Sequence, residues 1–121
     1  MRLLLTISLL FWLATAAAES IRLLVQSSPL AGSQYYAVGE QWSQMRVGDR
    51  LDLVREPDNR HDRHAIRVEW RGHQLGYVPR RENRMLAAAM DQGERLVARI
   101  AKLRENANPW QRVEFEVFVE L

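Results

Sequence analysis

Three features predict a small antiparallel β-fold, all-β to α+β, of about six strands with one or two helices. They are short alternating segments, turn signals between them and a single apolar helical stripe. The clearest alternation is C-terminal. Val113, Phe115, Val117, Val119 and Leu121 alternate with Arg112, Glu114, Glu116 and Glu120, and Phe118 alone breaks the pattern. Strand pairs joined by tight turns curl into a small barrel or sandwich at this length.

Taken in order, residues 1–18 stand apart from that fold. Arg2 is a basic n-region, Leu3 to Leu13 is an apolar run of eleven interrupted by Thr6 and Ser8, and Ala16 and Ala18 have an A-x-A spacing. This is the pattern of a secretory signal peptide cleaved after Ala18. The run is shorter than the ~20 residues a membrane-spanning helix needs. The expectation is an exported chain, periplasmic or secreted, with one domain over residues 19–121 and no membrane span in it.

Ile21 to Val25 is a first strand, and Ser27 to Gly32, with Pro29, reads as a loop. Tyr35 and Tyr36 are adjacent, so a strand there would send one ring inward and one outward. Trp42 and Met45 suit a helical turn or two. Leu51 to Arg55 is a strand halted by Pro57. Ile66, Val68 and Trp70 alternate with Arg67 and Glu69, the Arg71-Gly72 pair turns the chain, and Leu75 to Val78 closes a hairpin before Pro79. Glu82 to Met90 is a helix with Met85, Leu86, Ala89 and Met90 as its apolar stripe and Gly93 as its stop. Leu96 to Leu103 is the last strand before the C-terminal one.

The charge balance is nearly neutral. With Arg2 set aside, 16 basic and 15 acidic side chains remain, which gives no bulk electrostatic case for nucleic acid or anionic membrane. Their distribution is uneven: eight arginines fall between Arg55 and Arg84 against five acids, and Lys102 is the only lysine. Arginine offers the planar fork that suits phosphate and carboxylate. The absence of cysteine excludes thiol catalysis and cysteine-ligated zinc.

The chemistry concentrates between Leu53 and Val68, where Glu56, Asp58, Asn59, His61, Asp62 and His64 lie among Arg55, Arg60 and Arg63. No phosphate-loop, dinucleotide-binding or nucleophile-elbow motif is present. His61, Asp62 and His64 are candidates for a divalent metal such as zinc, but their spacing matches no zinc pattern and arginines flank them. General acid–base work by the same groups is conceivable, yet nothing positions a substrate. Read residue by residue, the loop is better explained as Asx-type turns and surface ion pairs that hold its own shape.

The run Arg55-Glu56-Pro57-Asp58-Asn59-Arg60-His61-Asp62-Arg63-His64-Ala65-Ile66 is followed by Leu75-Gly76-Tyr77-Val78-Pro79-Arg80 and by a helix closing on Met90-Asp91-Gln92-Gly93. Together they resemble the HIRAN domain, and Tyr35-Tyr36 fits the same family. The resemblance covers about Ile21 to Leu121. It implies a small OB-like antiparallel β-barrel of about six strands. It also implies a non-enzymatic module that holds the 3′ end of single-stranded DNA, as in the eukaryotic fork-remodelling ATPases. By position, Tyr35 and Tyr36 would stack on or contact the strand, Asp62 would accept a hydrogen bond from the 3′ hydroxyl, and Asn59, His61, Tyr77 and Arg80 would line the groove. Gln34 stands where those relatives carry an arginine, and His61 where they carry a tyrosine.

Two alternatives are carried beside that reading. An exported chain can use the same groove for a peptide, glycan or polyanion. A metal-dependent hydrolase of acid anhydrides would need a metal at His61, Asp62 and His64; otherwise no cofactor is expected.

Overall fold

The computed structural model describes residues 21–121, so the signal-peptide reading of residues 1–18 lies outside the described residues. Six strands form one antiparallel sheet: β1 (Arg22–Pro29), β2 (Arg50–Arg55), β3 (Ile66–Trp70), β4 (His73–Tyr77), β5 (Leu96–Leu103) and β6 (Val113–Glu120), in the order β1-β6-β5-β2-β3-β4. Two helices accompany them, α1 (Val38–Gln41) and α2 (Arg84–Asp91). Among the described residues no helix is long and apolar enough to cross a membrane.

The predicted alternations become the core. Ile66, Val68 and Trp70 of β3 face inward with Val113, Phe115 and Val117 of β6, while Arg67, Glu69, Glu114 and Glu116 keep partial contact with water. Burying an aliphatic or aromatic side chain of this size contributes ~1.5–3 kcal/mol. The Trp70 indole needs a partner when buried and donates to Asp49 Oδ2 at 2.9 Å. The Arg46 N–H first, and then this indole bond, hold the Asp49 carboxyl below its usual range, although burial opposes them.

The ladder remains open between β1 and β4, and one bridge spans the gap. Ala31 N–H donates to Tyr77 O at 2.9 Å, and Tyr77 N–H donates back to Ala31 O at 2.9 Å. Gly76 permits that approach: a Cβ there would run into Ala31 O and lie 3.1 Å from Leu30 Cγ. The fold is thus the expected small OB-like, barrel-like form, with the sheet itself left open and Ala31 bridged to Tyr77 across the gap.

Several local expectations are corrected. Ser27, Ser28 and Pro29 continue β1 rather than forming a loop, because they pair with Glu116, Phe115 and Glu114 of β6. Tyr35 and Tyr36 do not lie in a strand; Ser33–Tyr35 is a 3₁₀ turn that opens at Gly32. Met85 is 82% exposed and off the helix stripe, because α2 turns Leu86 and Ala87 to the core instead. The helix does stop at Gly93, where Glu94 N–H reaches back to Ala89 O at 3.0 Å and the Gly93 φ of 87° permits the left-handed turn. The apolar residues of β1 are not core: Leu23, Leu24 and Val25 lie exposed on the sheet's edge strand.

Candidate nucleic-acid interface

The loop between β2 and β3 is stapled by its own side chains. Pro57 ends β2, and Asn59 then turns the chain: its Oδ1 accepts from His61 N–H at 2.9 Å and Asp62 N–H at 3.1 Å. Asn59 Nδ2 donates to Glu56 Oε1 at 2.9 Å, so both polar atoms of this amide serve the loop. Asp62 Oδ1 accepts from His64 N–H at 2.9 Å, and Asp62 Oδ2 accepts from Asn83 Nδ2 at 2.7 Å. Burial raises the Asp62 carboxyl's proton affinity, but the His64 N–H, the Asn83 amide and the charges of Arg80 and His64 outweigh it and hold it below its usual range.

Glu56 is a second centre. Its Oε1 accepts from the Tyr77 hydroxyl at 2.9 Å as well as from Asn59, and its Oε2 accepts from Arg67 Nη1 at 2.8 Å. Burial again opposes ionisation, and Asn59, Tyr77 and Arg67 together prevail and hold the carboxyl below the usual range. The same bond works the other way on Tyr77. Burial, and then the neighbouring Glu56 carboxylate, push its phenol up.

These contacts divide the seven residues expected at the site into two groups joined through Glu56. Tyr36 and Tyr77 meet edge to face, with ring centroids 6.0 Å apart, and Tyr35 beside them is 76% exposed. Asn59, His61, Asp62 and Arg80 line an open polar cavity of about 620 Å³, and Arg80 Nη2 donates to His61 O at 2.9 Å. The tyrosines do not line that cavity. Sequence reasoning missed Asn83, which is 2% exposed and anchors Asp62, and it counted Glu56 among the loop's polar residues without marking it as the hub. It also left Arg60, Arg63, Arg81 and Arg84 unassigned, although all four line the cavity. Their only advance signal was the crowding of arginine between Arg55 and Arg84.

His64 Nδ1 lies 4.0 Å from Asp62 Oδ1, and among the described residues no group of three or more histidine, aspartate and glutamate side chains is arranged to hold a metal ion. The arrangement can do two things. The exposed rings offer π-faces for stacking, and the arginines offer donors to anionic oxygens.

The family model described as HIRAN domain matches residues 23–121. A crystal structure of a protein from Lactobacillus plantarum is similar at 28% identity, covering 84% of this chain and 98% of that one, with a TM-score of 0.73. The HIRAN domain of human HLTF shares the fold at 22% identity, covering 82% of this chain and 78% of that one, with a TM-score of 0.62. No curated protein sequence matches.

Proposed function

The chain belongs to the HIRAN domain family, and from that premise we propose that it is a non-enzymatic module that binds single-stranded nucleic acid and receives the 3′ end of the strand. The observation that carries this reading is the pairing of exposed tyrosines with an arginine-lined cavity. Tyr35 and Tyr36 present rings to solvent, where bases stack for about 1–3 kcal/mol each. Arg80 and its neighbours present guanidinium groups to phosphates. Base stacking tolerates any sequence, and phosphate contacts carry no sequence information, so the module recognises strand form and not base order. The nearly neutral overall charge fits recognition by one basic face rather than by general attraction. We further propose that the module works outside the cytoplasm, on the strength of the signal-like residues 1–18.

Fluorescence anisotropy with labelled single strands of about ten nucleotides tests the reading, a length within the site sizes typical of OB-type folds. Binding should be present at low salt and should weaken steeply as salt rises. Failure to bind any single strand at low salt, whatever its 3′ end, would exclude it.

A further inference from the structure

The sheet ends in two edge strands, β1 and β4, and the fold covers them unequally. Along β4, Ala31 N–H donates to Tyr77 O at 2.9 Å and Ala37 N–H donates to Gln74 O at 3.0 Å, so chain meets that edge at two points. The second half of β1 is also engaged, where Ser28 Oγ donates to Glu82 Oε2 at 2.6 Å. The first half is not. Among the described residues no backbone group pairs with the outer edge of β1 from Arg22 to Val25.

The register shows which groups that edge presents. Leu121 N–H donates to Ile21 O at 2.8 Å, and Arg22, Leu23 and Leu24 then stand opposite Glu120, Val119 and Phe118 of β6. Hydrogen-bonded and non-hydrogen-bonded pairs alternate along an antiparallel ladder. Leu23 therefore turns its N–H and C=O to β6, whereas Arg22 and Leu24 turn theirs away from it. An uncovered edge is a template for another strand, and proteins usually blunt it with lysine, proline, a bulge or a covering segment. Here a bulge shifts the register between Leu24 and Gln26, which confines the free ladder to the residues before it.

The side chains along that ladder are apolar. Ile21, Leu23, Leu24, Val25 and Leu121 make up half of the large apolar side chains that the described residues expose, and they are gathered at this one end of the sheet. The one charge in the run, Arg22, is held by Glu120 at 3.1 Å.

We propose that this edge pairs with the same edge of a second copy of the chain, antiparallel about a two-fold axis at Leu23. The pairing is self-complementary, as an isologous contact requires. Arg22 exchanges N–H···O=C bonds with Leu24 of the second copy, and the two-fold repeats the exchange. Leu23 meets its own mate in a non-hydrogen-bonded pair, where side chains lie closest. Neighbouring residues point to opposite faces, so Leu23 covers one face of the joint and Leu24 the other. Glu120 already neutralises Arg22, so the two copies bring no unpaired like charges together. The free backbone groups decide the kind of occupant: lipid leaves them unsatisfied, whereas a strand pairs them. The apolar area available is on the order of 1,000 Å² for both copies together, the lower limit of a specific interface, so the dimer is a weak one of micromolar Kd. The edge shares no residue with the tyrosines or the arginine-lined cavity, and the proposal stands apart from the nucleic-acid reading.

Sedimentation equilibrium of the full chain, from about 1 to 500 µM, tests the association, and dimer should accumulate across that range. Leu24→Arg should weaken it about tenfold or more, because the pairing sets the new charge directly against Arg22 of the second copy. The Leu24 side chain is exposed, so its replacement leaves the core intact. A second measurement adds no charge. The chain has no cysteine, so Leu23→Cys puts a single thiol opposite its mate, at a Cα separation of about 4.5 Å that a disulfide can span. Mild oxidation should give a covalent dimer, and Val47→Cys, at an exposed side chain outside the edge, should give far less. A chain that stays monomeric throughout the range overturns the proposal. So does a dimer that Leu24→Arg leaves unchanged, or one in which Val47→Cys cross-links as readily as Leu23→Cys.

Discussion

Asn83 donates from a buried side-chain amide to Asp62 Oδ2 at 2.7 Å, and so ties the start of α2 to a loop twenty-one residues upstream. The bond spans the two elements whose arginines line the cavity, so loop and helix are positioned together. Asn83→Ala removes a charge-assisted hydrogen bond in a buried setting, and unfolding in urea should show a loss of about 1–3 kcal/mol. Asp62→Ala should cost a similar amount, and the double variant little more than either alone, because the two side chains act through one contact. Additive losses would show that the contact is not what holds the loop.

The Tyr77 hydroxyl gives the Glu56 hub a spectroscopic handle. Burial and the adjacent carboxylate both push its phenol above the usual range. The chain has three tyrosines. Ultraviolet titration should therefore show a late phenol ionisation, that of Tyr77. Glu56→Gln should bring that late step down, since it removes the carboxylate and leaves the ring in place. Tyr77→Phe should abolish the step and cost about 1 kcal/mol of stability. An unchanged late step in Glu56→Gln would show that burial acts alone.

Acid sensitivity follows from three carboxyls. Asp49, Glu56 and Asp62 are all held below their usual range in the folded chain. The unfolded chain, with ordinary values near about 4, takes up these protons first as pH falls. The stability they contribute is therefore fully present above about pH 5 and drains away as pH drops through about 4 and on towards the folded values. Thermal unfolding followed from pH 7 to 3 should show a falling midpoint below about pH 5, with a shallower fall in Glu56→Gln. A midpoint flat down to pH 3 would contradict the assignment.

Much of this arrangement was legible in the chain, for a physical reason that also marks the limit. Half-buried strands alternate, so Ile66–Trp70 and the C-terminal strand could be read directly. The Arg55–Ile66 motif carries its loop chemistry within a few residues, so its Asx-type stapling was legible too. Long-range partners leave no local mark. Nothing near Asn83 says that its amide is buried against Asp62, and nothing near Glu56 says that Tyr77 will reach it. A pair of adjacent tyrosines reads as strand by propensity, yet Gly32 starts a 3₁₀ turn that no period reveals. Met85 fits an apolar stripe on paper and points to solvent, because the helix begins two residues later than the pattern suggests and packs through Leu86 and Ala87.

The two neighbouring tyrosines should separate binding from folding. Tyr35 is 76% exposed, so Tyr35→Ala should leave the urea midpoint unchanged. If its ring stacks on a base, the same change should weaken single-strand binding by about fivefold to a hundredfold or more, the equivalent of one stacking contact. Tyr36 is 39% exposed and also meets Tyr77 edge to face at 6.0 Å. Tyr36→Ala should therefore lower affinity and also cost about 0.5–1.5 kcal/mol of stability through the lost ring pair. Tyr77 is itself hydrogen-bonded to Glu56, so that loss should in addition loosen its late ionisation. Substitution by Phe at either position should restore most of the affinity, since stacking needs the ring and not the hydroxyl. Loss of affinity in Tyr36→Ala with none in Tyr35→Ala would confine stacking to the inner ring. No loss in either would remove the tyrosine pair from the interface and leave the arginine-lined cavity as its whole extent.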